Sequence, residues 1–144
     1  MTRDTILTLT GPALSEAVAR HVMRWRRIPS EAMNSTASVW EDPRDKSRWF
    51  LIPCRPMPKR DQGFFGIVAE TWEPHQDMGA AWMVWTVAPG DEKTLRASSD
   101  RFQAVIDAGE PVDAESAELA ICRAALLAAL TPADAVGSGA SVLA

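Results

Sequence analysis

The segment running from Ser116 to Leu130 constrains this chain more than any other. Leu119, Cys122, Ala125, Leu126, Ala129 and Leu130 recur at the three- and four-residue intervals of one helical face. Asp113 or Ser116 supplies the cap, and Thr131-Pro132 ends the helix because proline cannot continue it. The nearly apolar run from Ala120 to Leu130 is interrupted by Arg123, and it is shorter than the roughly 20 residues needed to cross a bilayer. A helix of this kind must be covered by other parts of the same domain.

Two more helices are expected. Thr10-Gly11-Pro12 offers a hydroxyl cap and a proline in the first turn, where a missing N–H is harmless. Leu14, Val18, His21 or Val22, and Trp25 follow at helical spacing, with Arg24, Arg26 and Arg27 suited to the negative C-terminal pole and Pro29 as the stop. Glu73-Pro74-His75-Gln76-Asp77 opens the other helix. Met78, Ala81, Trp82 and Trp85 form its stripe, and Pro89-Gly90 closes it. On this reading Trp25, Trp82 and Trp85 belong to the core.

Val39-Trp40 and Trp49 to Ile52 are expected as strands around a turn at Asp42 to Lys46. Phe64 to Val68 is a further short strand, and Phe102 to Ile106 another, after the turn at Ser98-Ser99-Asp100. Together these elements specify an α+β fold: a small, mostly antiparallel sheet of about three to five strands, packed with three helices as a helix–sheet–helix sandwich. The 144 residues, 47% hydrophobic and 24% charged, suit one domain over 1–132, followed by a small-residue tail over 133–144 expected to be mobile.

Composition narrows the function classes. A formal net charge of −4 argues against non-specific coating of nucleic acid, which needs many cation–phosphate contacts. Met1-Thr2-Arg3-Asp4-Thr5 lacks the basic start and apolar run of a secretory signal, and no stretch reads as a membrane span, so the expected location is the cytoplasm. Cys54 and Cys122 make neither a disulfide framework nor a zinc spacing.

Few residues invite chemistry. His21 lies beside a buried stripe, and His75 sits with Glu73 and Asp77 at a helix start, without the i, i+4 pairing of a helical metal site. Cys54 has Arg55, Lys59 and Arg60 nearby to lower its thiol pKa but no obvious base, while Cys122 falls in an apolar face. Gly63 and Gly66 lack the strand, Lys-Ser/Thr and helix of a phosphate loop. No catalytic residue, metal or cofactor is assigned, and the expectation is a protein that is not an enzyme. Six tryptophans without a tyrosine stand out. Trp40, Trp49 and Trp72, interleaved with Arg44, Arg48, Arg55, Lys59 and Arg60, form the candidate binding surface, since stacking and charge act together on nucleotides, single strands or acidic proteins.

Three blocks carry a family resemblance. Leu14 to Trp25 followed by Trp40-Glu41-Asp42-Pro43, then Pro74-His75-Gln76-Asp77-Met78-Gly79-Ala80-Ala81-Trp82-Met83-Val84, then Ala120-Ile121-Cys122-Arg123-Ala124-Ala125-Leu126, together resemble the phage ABA sandwich domain proteins. Arg24 stands where that pattern has glycine, and the stretch from Pro53 to Glu70 is longer than in the pattern. The resemblance implies a helix–sheet–helix sandwich and a phage or prophage gene, and it assigns no reaction. Two functions follow as expectations. One is an accessory protein that binds a host or phage macromolecule, with inhibition of host defence as one such role. The alternative is a small-ligand or nucleotide binder using the Trp/Arg surface. Neither fixes an oligomeric state, and a homo-oligomer is compatible with both.

Overall fold

The computed structural model describes residues 1–28, 38–51, 60–62 and 68–130. The Thr2 hydroxyl accepts the Thr5 amide at 3.1 Å and so caps a short helix, α1 (Arg3–Thr8), that no periodicity announces. In α2 (Gly11–His21) Pro12 occupies the first turn as expected. Thr10 holds the cap position, but its hydroxyl makes no capping bond.

Helix α2 stops four residues before Trp25. The Met23 and Trp25 amides turn back to the carbonyls of Val18 and Ala19, both at 3.0 Å, while Arg24 adopts a φ of 60°. That left-handed residue redirects the chain, so Arg26 and Arg27 belong to strand β1 (Arg26–Ile28) and not to a final helical turn.

Strands β1, β2 (Ser38–Glu41), β3 (Arg48–Leu51), β4 (Arg60–Gln62) and β5 (Val68–Thr71) form one sheet in the order β1-β2-β3-β5-β4. All pairings are antiparallel except that of β3 with β5. The β2–β3 register places Trp40 opposite Trp49. The turn between them is the one expected: the Asp42 carboxylate accepts the Arg44 amide at 2.9 Å, that of Asp45 accepts the Ser47 amide at 2.9 Å, and Lys46 takes a φ of 66°. Of the strand expected over Phe64 to Val68, only Val68 lies within the described residues, where it begins β5. Ile52 and the tail over 133–144 lie outside them.

The Asp77 carboxylate accepts the Gly79 amide and caps α3 (Met78–Val87). A second sheet follows, β6 (Lys93–Ser98), β7 (Arg101–Ile106) and β8 (Val112–Ala114), antiparallel throughout and in that order. Ser116 then caps α4 (Ala117–Leu130), its hydroxyl accepting the Leu119 amide. Leu119, Ala120, Ile121, Cys122, Ala124, Ala125, Leu126 and Leu127 are all buried in α4, which is apolar almost all round because it is covered all round. It packs on the second sheet and on α1, α2 and α3. Of its two charges, Glu118 lies in the first turn and Arg123 reaches out to donate two hydrogen bonds to the Leu9 carbonyl, at 3.0 and 3.3 Å.

The protein is therefore α+β, with two small sheets and four helices among the described residues, against the one sheet and three helices expected. A continuous buried cluster joins Ile6, Leu14, Trp25, Trp40, Trp72, Val84, Ile106 and Leu126. None of the described helices is long and apolar enough to cross a membrane.

Candidate interaction surface

The tryptophans and arginines expected as a binding surface do come together, but they satisfy one another. Trp40 and Trp72 are each 1% exposed, so neither ring is open to a ligand. Trp49 is half-buried and stacks on Trp25 with centroids 5.4 Å apart and planes 2° apart, while Trp72 meets Trp25 at 4.5 Å and 55°. Arg20 lies 5.1 Å over the Trp40 ring.

The cations are engaged too. Glu41 stands opposite Arg26 on one neighbouring strand and opposite Arg48 on the other, and its buried carboxylate accepts from both, at 2.8 and 3.3 Å. Arg44 grips Asp42 through two bonds, 2.9 and 3.0 Å long. These bonds hold both carboxyls below their usual range against the opposing effect of burial, with the Arg26 hydrogen bond the largest cause for Glu41 and the Arg44 hydrogen bond for Asp42. The Trp25 indole nitrogen adds to the effect on Asp42 without completing a hydrogen bond. Arg55, Lys59 and Cys54 lie outside the described residues, and of Arg60 only the strand position is described. The described part of the Trp/Arg cluster is a structural unit closed on itself.

Among the described residues one Ser–His pair is formed. Ser15 Oγ and His75 Nδ1 share a hydrogen bond of 2.9 Å. Ser15 is 2% exposed on the inner face of α2, so its oxygen has no open approach for a substrate. Burial lowers the His75 pKa, only partly countered by Glu73, and keeps the ring neutral as a packing partner. Burial likewise raises the Cys122 thiol, which behaves as a small core hydrophobe. Among the described residues, no three His, Cys, Asp or Glu side chains gather as a metal would require.

The surface that sequence periodicity misplaces is on α3. Trp82 and Met78, expected in the core, are 55% and 39% exposed. The buried stripe consists instead of Ala80, Ala81, Val84 and Trp85, continued by Ala88. The opposite side carries Met78, Gly79, Trp82, Met83, Thr86 and Val87, the last 38% exposed, without a single charge. Thr86 adds little polarity to that side, because its hydroxyl donates back to the Trp82 carbonyl at 2.9 Å. The sequence signal was the absence of charge from a ten-residue helix: apolar residues on every side cannot say which side faces in.

Two depressions mark the second sheet. One, of about 430 Å³, is lined by Arg96, Ser98, Arg101, Gln103 and Asp113, with Gln103 donating to Asp113 at 3.3 Å. Among the described residues Arg96 and Arg101 make no ion pair. The other, of about 280 Å³, lies over Ile106, Ala124 and Leu127, bridged by the Arg3–Glu110 ion pair. Compared with known proteins, the chain matches no family model, no curated protein and no solved structure.

Proposed function

We propose that the protein is a binding protein, without catalysis of its own, that holds a host or phage protein against the outer face of α3. The observation that carries this is Trp82: an indole 55% exposed at the centre of a helical face with no charged side chain. Solvent-facing helices normally present charge, and a continuous apolar face centred on tryptophan has the composition of an interface hot spot. The block resemblance to phage ABA sandwich proteins supports an accessory role in the cytoplasm of an infected bacterium, with inhibition of host defence as the role we favour. The burial of Ser15 supports binding over chemistry, and the self-neutralised Trp/Arg cluster favours α3 over the first sheet as the contact.

Capture from infected-cell lysate with wild-type protein and with Trp82→Glu tests this. A protein retained by the wild type and lost from the variant, identified by mass spectrometry, is the expected result; identical recoveries from the two would reject the α3 face.

The nucleotide reading keeps one foothold, moved from the tryptophans to Arg96 and Arg101 beside their depression. Two guanidiniums without an ion pair among the described residues suit a phosphate. A nucleotide panel in thermal shift decides it: a specific ligand raises Tm in wild type and not in Arg96→Ser/Arg101→Ser, while a flat response removes the reading.

A further inference from the structure

Resting on the α3 face as the contact surface, we infer that its occupant is a short protein segment with an apolar stripe carrying Lys or Arg at both ends. The argument is one of charge placement. From Met78 to Val87 the uncharged face is about 14 Å long, some two and a half helical turns. Beyond its N-terminal end stand Glu73 and Asp77, and beyond its C-terminal end Asp91 and Glu92, with Asp107 beside them accepting both their amides, at 3.0 and 2.9 Å. Lys93 is the one cation in this fringe, and its ammonium is turned onto the Thr86 carbonyl at 3.3 Å. No ion pair engages the fringe acids among the described residues.

This distribution separates the occupants. In a second copy of the chain, a two-fold axis would bring acids onto acids whether the paired α3 helices ran parallel or antiparallel, since both ends are negative. Nucleic acid and anionic lipid meet the same repulsion, and Lys93, the one cation beside the face among the described residues, is outnumbered by the acids at both ends. A basic-ended apolar segment gains at both places. Its stripe covers Trp82, and its cations meet carboxylates that hold neutral hydrogen-bond donors but no cation among the described residues. The acids would also speed encounter and make it sensitive to salt.

The test uses the full chain and three synthetic amphipathic peptides of about 14 residues, matched to the face. One has a leucine stripe with lysines at both ends, the second the same stripe with glutamates, and the third the lysines with serines replacing the leucines. Iodide quenching reports Trp82, assigned by comparison with Trp82→Phe. The Lys-ended apolar peptide should protect Trp82 and bind at least tenfold more tightly than its Glu-ended twin, and the serine peptide should not bind. Trp82→Ala should weaken the first peptide by about 30-fold, the scale of a hot-spot residue. Asp77→Asn, which keeps the helix cap, combined with Asp91→Asn and Glu92→Gln should close the gap between the charged twins. Equal binding of those twins would overturn the inference while leaving the α3 face in place. Protection of Trp82 by self-association or by phosphatidylglycerol vesicles in preference to the Lys-ended peptide would overturn it as well. If neither apolar peptide protects Trp82, the α3 face itself fails as the contact surface.

Discussion

Trp25 lies flat against Trp49, with 5.4 Å between ring centroids and 2° between ring planes. The stack joins the exit of α2 to the middle of the first sheet and occupies one face of the Trp49 ring. Trp49→Ala should therefore behave as a core mutation. Removing this half-buried ring and its stacking contact with Trp25 should cost about 2–3 kcal/mol, read as a lower urea midpoint with little change in slope. An unchanged midpoint would return Trp49 to the list of surface residues available for a ligand.

Arg24 provides the opposite kind of test. Its φ of 60° is a conformation that glycine adopts without penalty and side chains with a Cβ do not favour. Arg24 is not in any hydrogen bond or ion pair among the described residues. Arg24→Gly should raise stability by about 0.5–1 kcal/mol, visible as a higher Tm, since a left-handed glycine is the common way to end a helix. A drop in Tm would show that the arginine side chain supports the fold in another way.

Local chemistry was the legible part of this fold. The Asp77 and Ser116 caps, the Asp42–Lys46 turn and α4 all depend on residues close in sequence, and each follows from side-chain type and spacing. Helix α1 has only six residues, too few to show a period, and in β6 only Lys93 and Leu95 are partly buried, a weak strand signal. The arginine exit of α2 was misread because cations near a helix end and cations in a following strand look alike until Arg24 turns the backbone. For the candidate site, the neighbourhood of Trp40, Trp49, Arg44 and Arg48 was visible in the sequence. Their mutual neutralisation was not, because it depends on the register that sets Glu41 between Arg26 and Arg48. Trp82 was assigned to the wrong face for a physical reason: α3 has no polar side to orient it.

Acid should destabilise the protein in two separate stages. His75 and His21 are both partly buried, His21 beside Arg20 and Arg24; in both the folded pKa is below the usual 6.5, with desolvation the largest cause. The unfolded chain then binds more protons than the folded one, so stability present above about pH 6.5 is lost as pH falls through the folded values. Glu41 and Asp42 are also held below their usual 4.5 and 3.8, and their contribution is present above that range and lost at lower pH. Urea midpoints measured from pH 7.5 to 3 should show both limbs. The double variant His21→Gln/His75→Gln should flatten the first limb alone, and Glu41→Gln should lower stability at neutral pH while making the second limb shallower. If the double variant tracks the wild type throughout, the histidines are not the source of the first limb.

Gly90 allows the chain to pass from α3 to β6 close to β7. Its φ is 133°, and a Cβ there would fall 2.3 Å from Cγ2 of Ile106, a core residue. Gly90→Ala thus combines an unfavourable backbone with a steric conflict that Ile106 cannot relieve without disturbing the core. A loss of at least about 1–3 kcal/mol is expected. Near-wild-type thermal unfolding would mean that the α3–β6 connection takes another path.

Trp82 and Trp85 sit three residues apart on one helix, on either side of the boundary between its exposed and buried faces, so they should separate stability from binding. Trp85 is buried against the core, and Trp85→Ala should cost about 3–5 kcal/mol. Trp82 has more than half of its surface in solvent, and Trp82→Ala should change stability by no more than about 0.5 kcal/mol while lowering the quenchable fraction of the fluorescence. Chemical denaturation and iodide quenching on the same two samples check both statements. The reverse order of stabilities would mean that α3 is rotated about its axis, placing Trp82 inside and removing the apolar face on which the binding proposal stands.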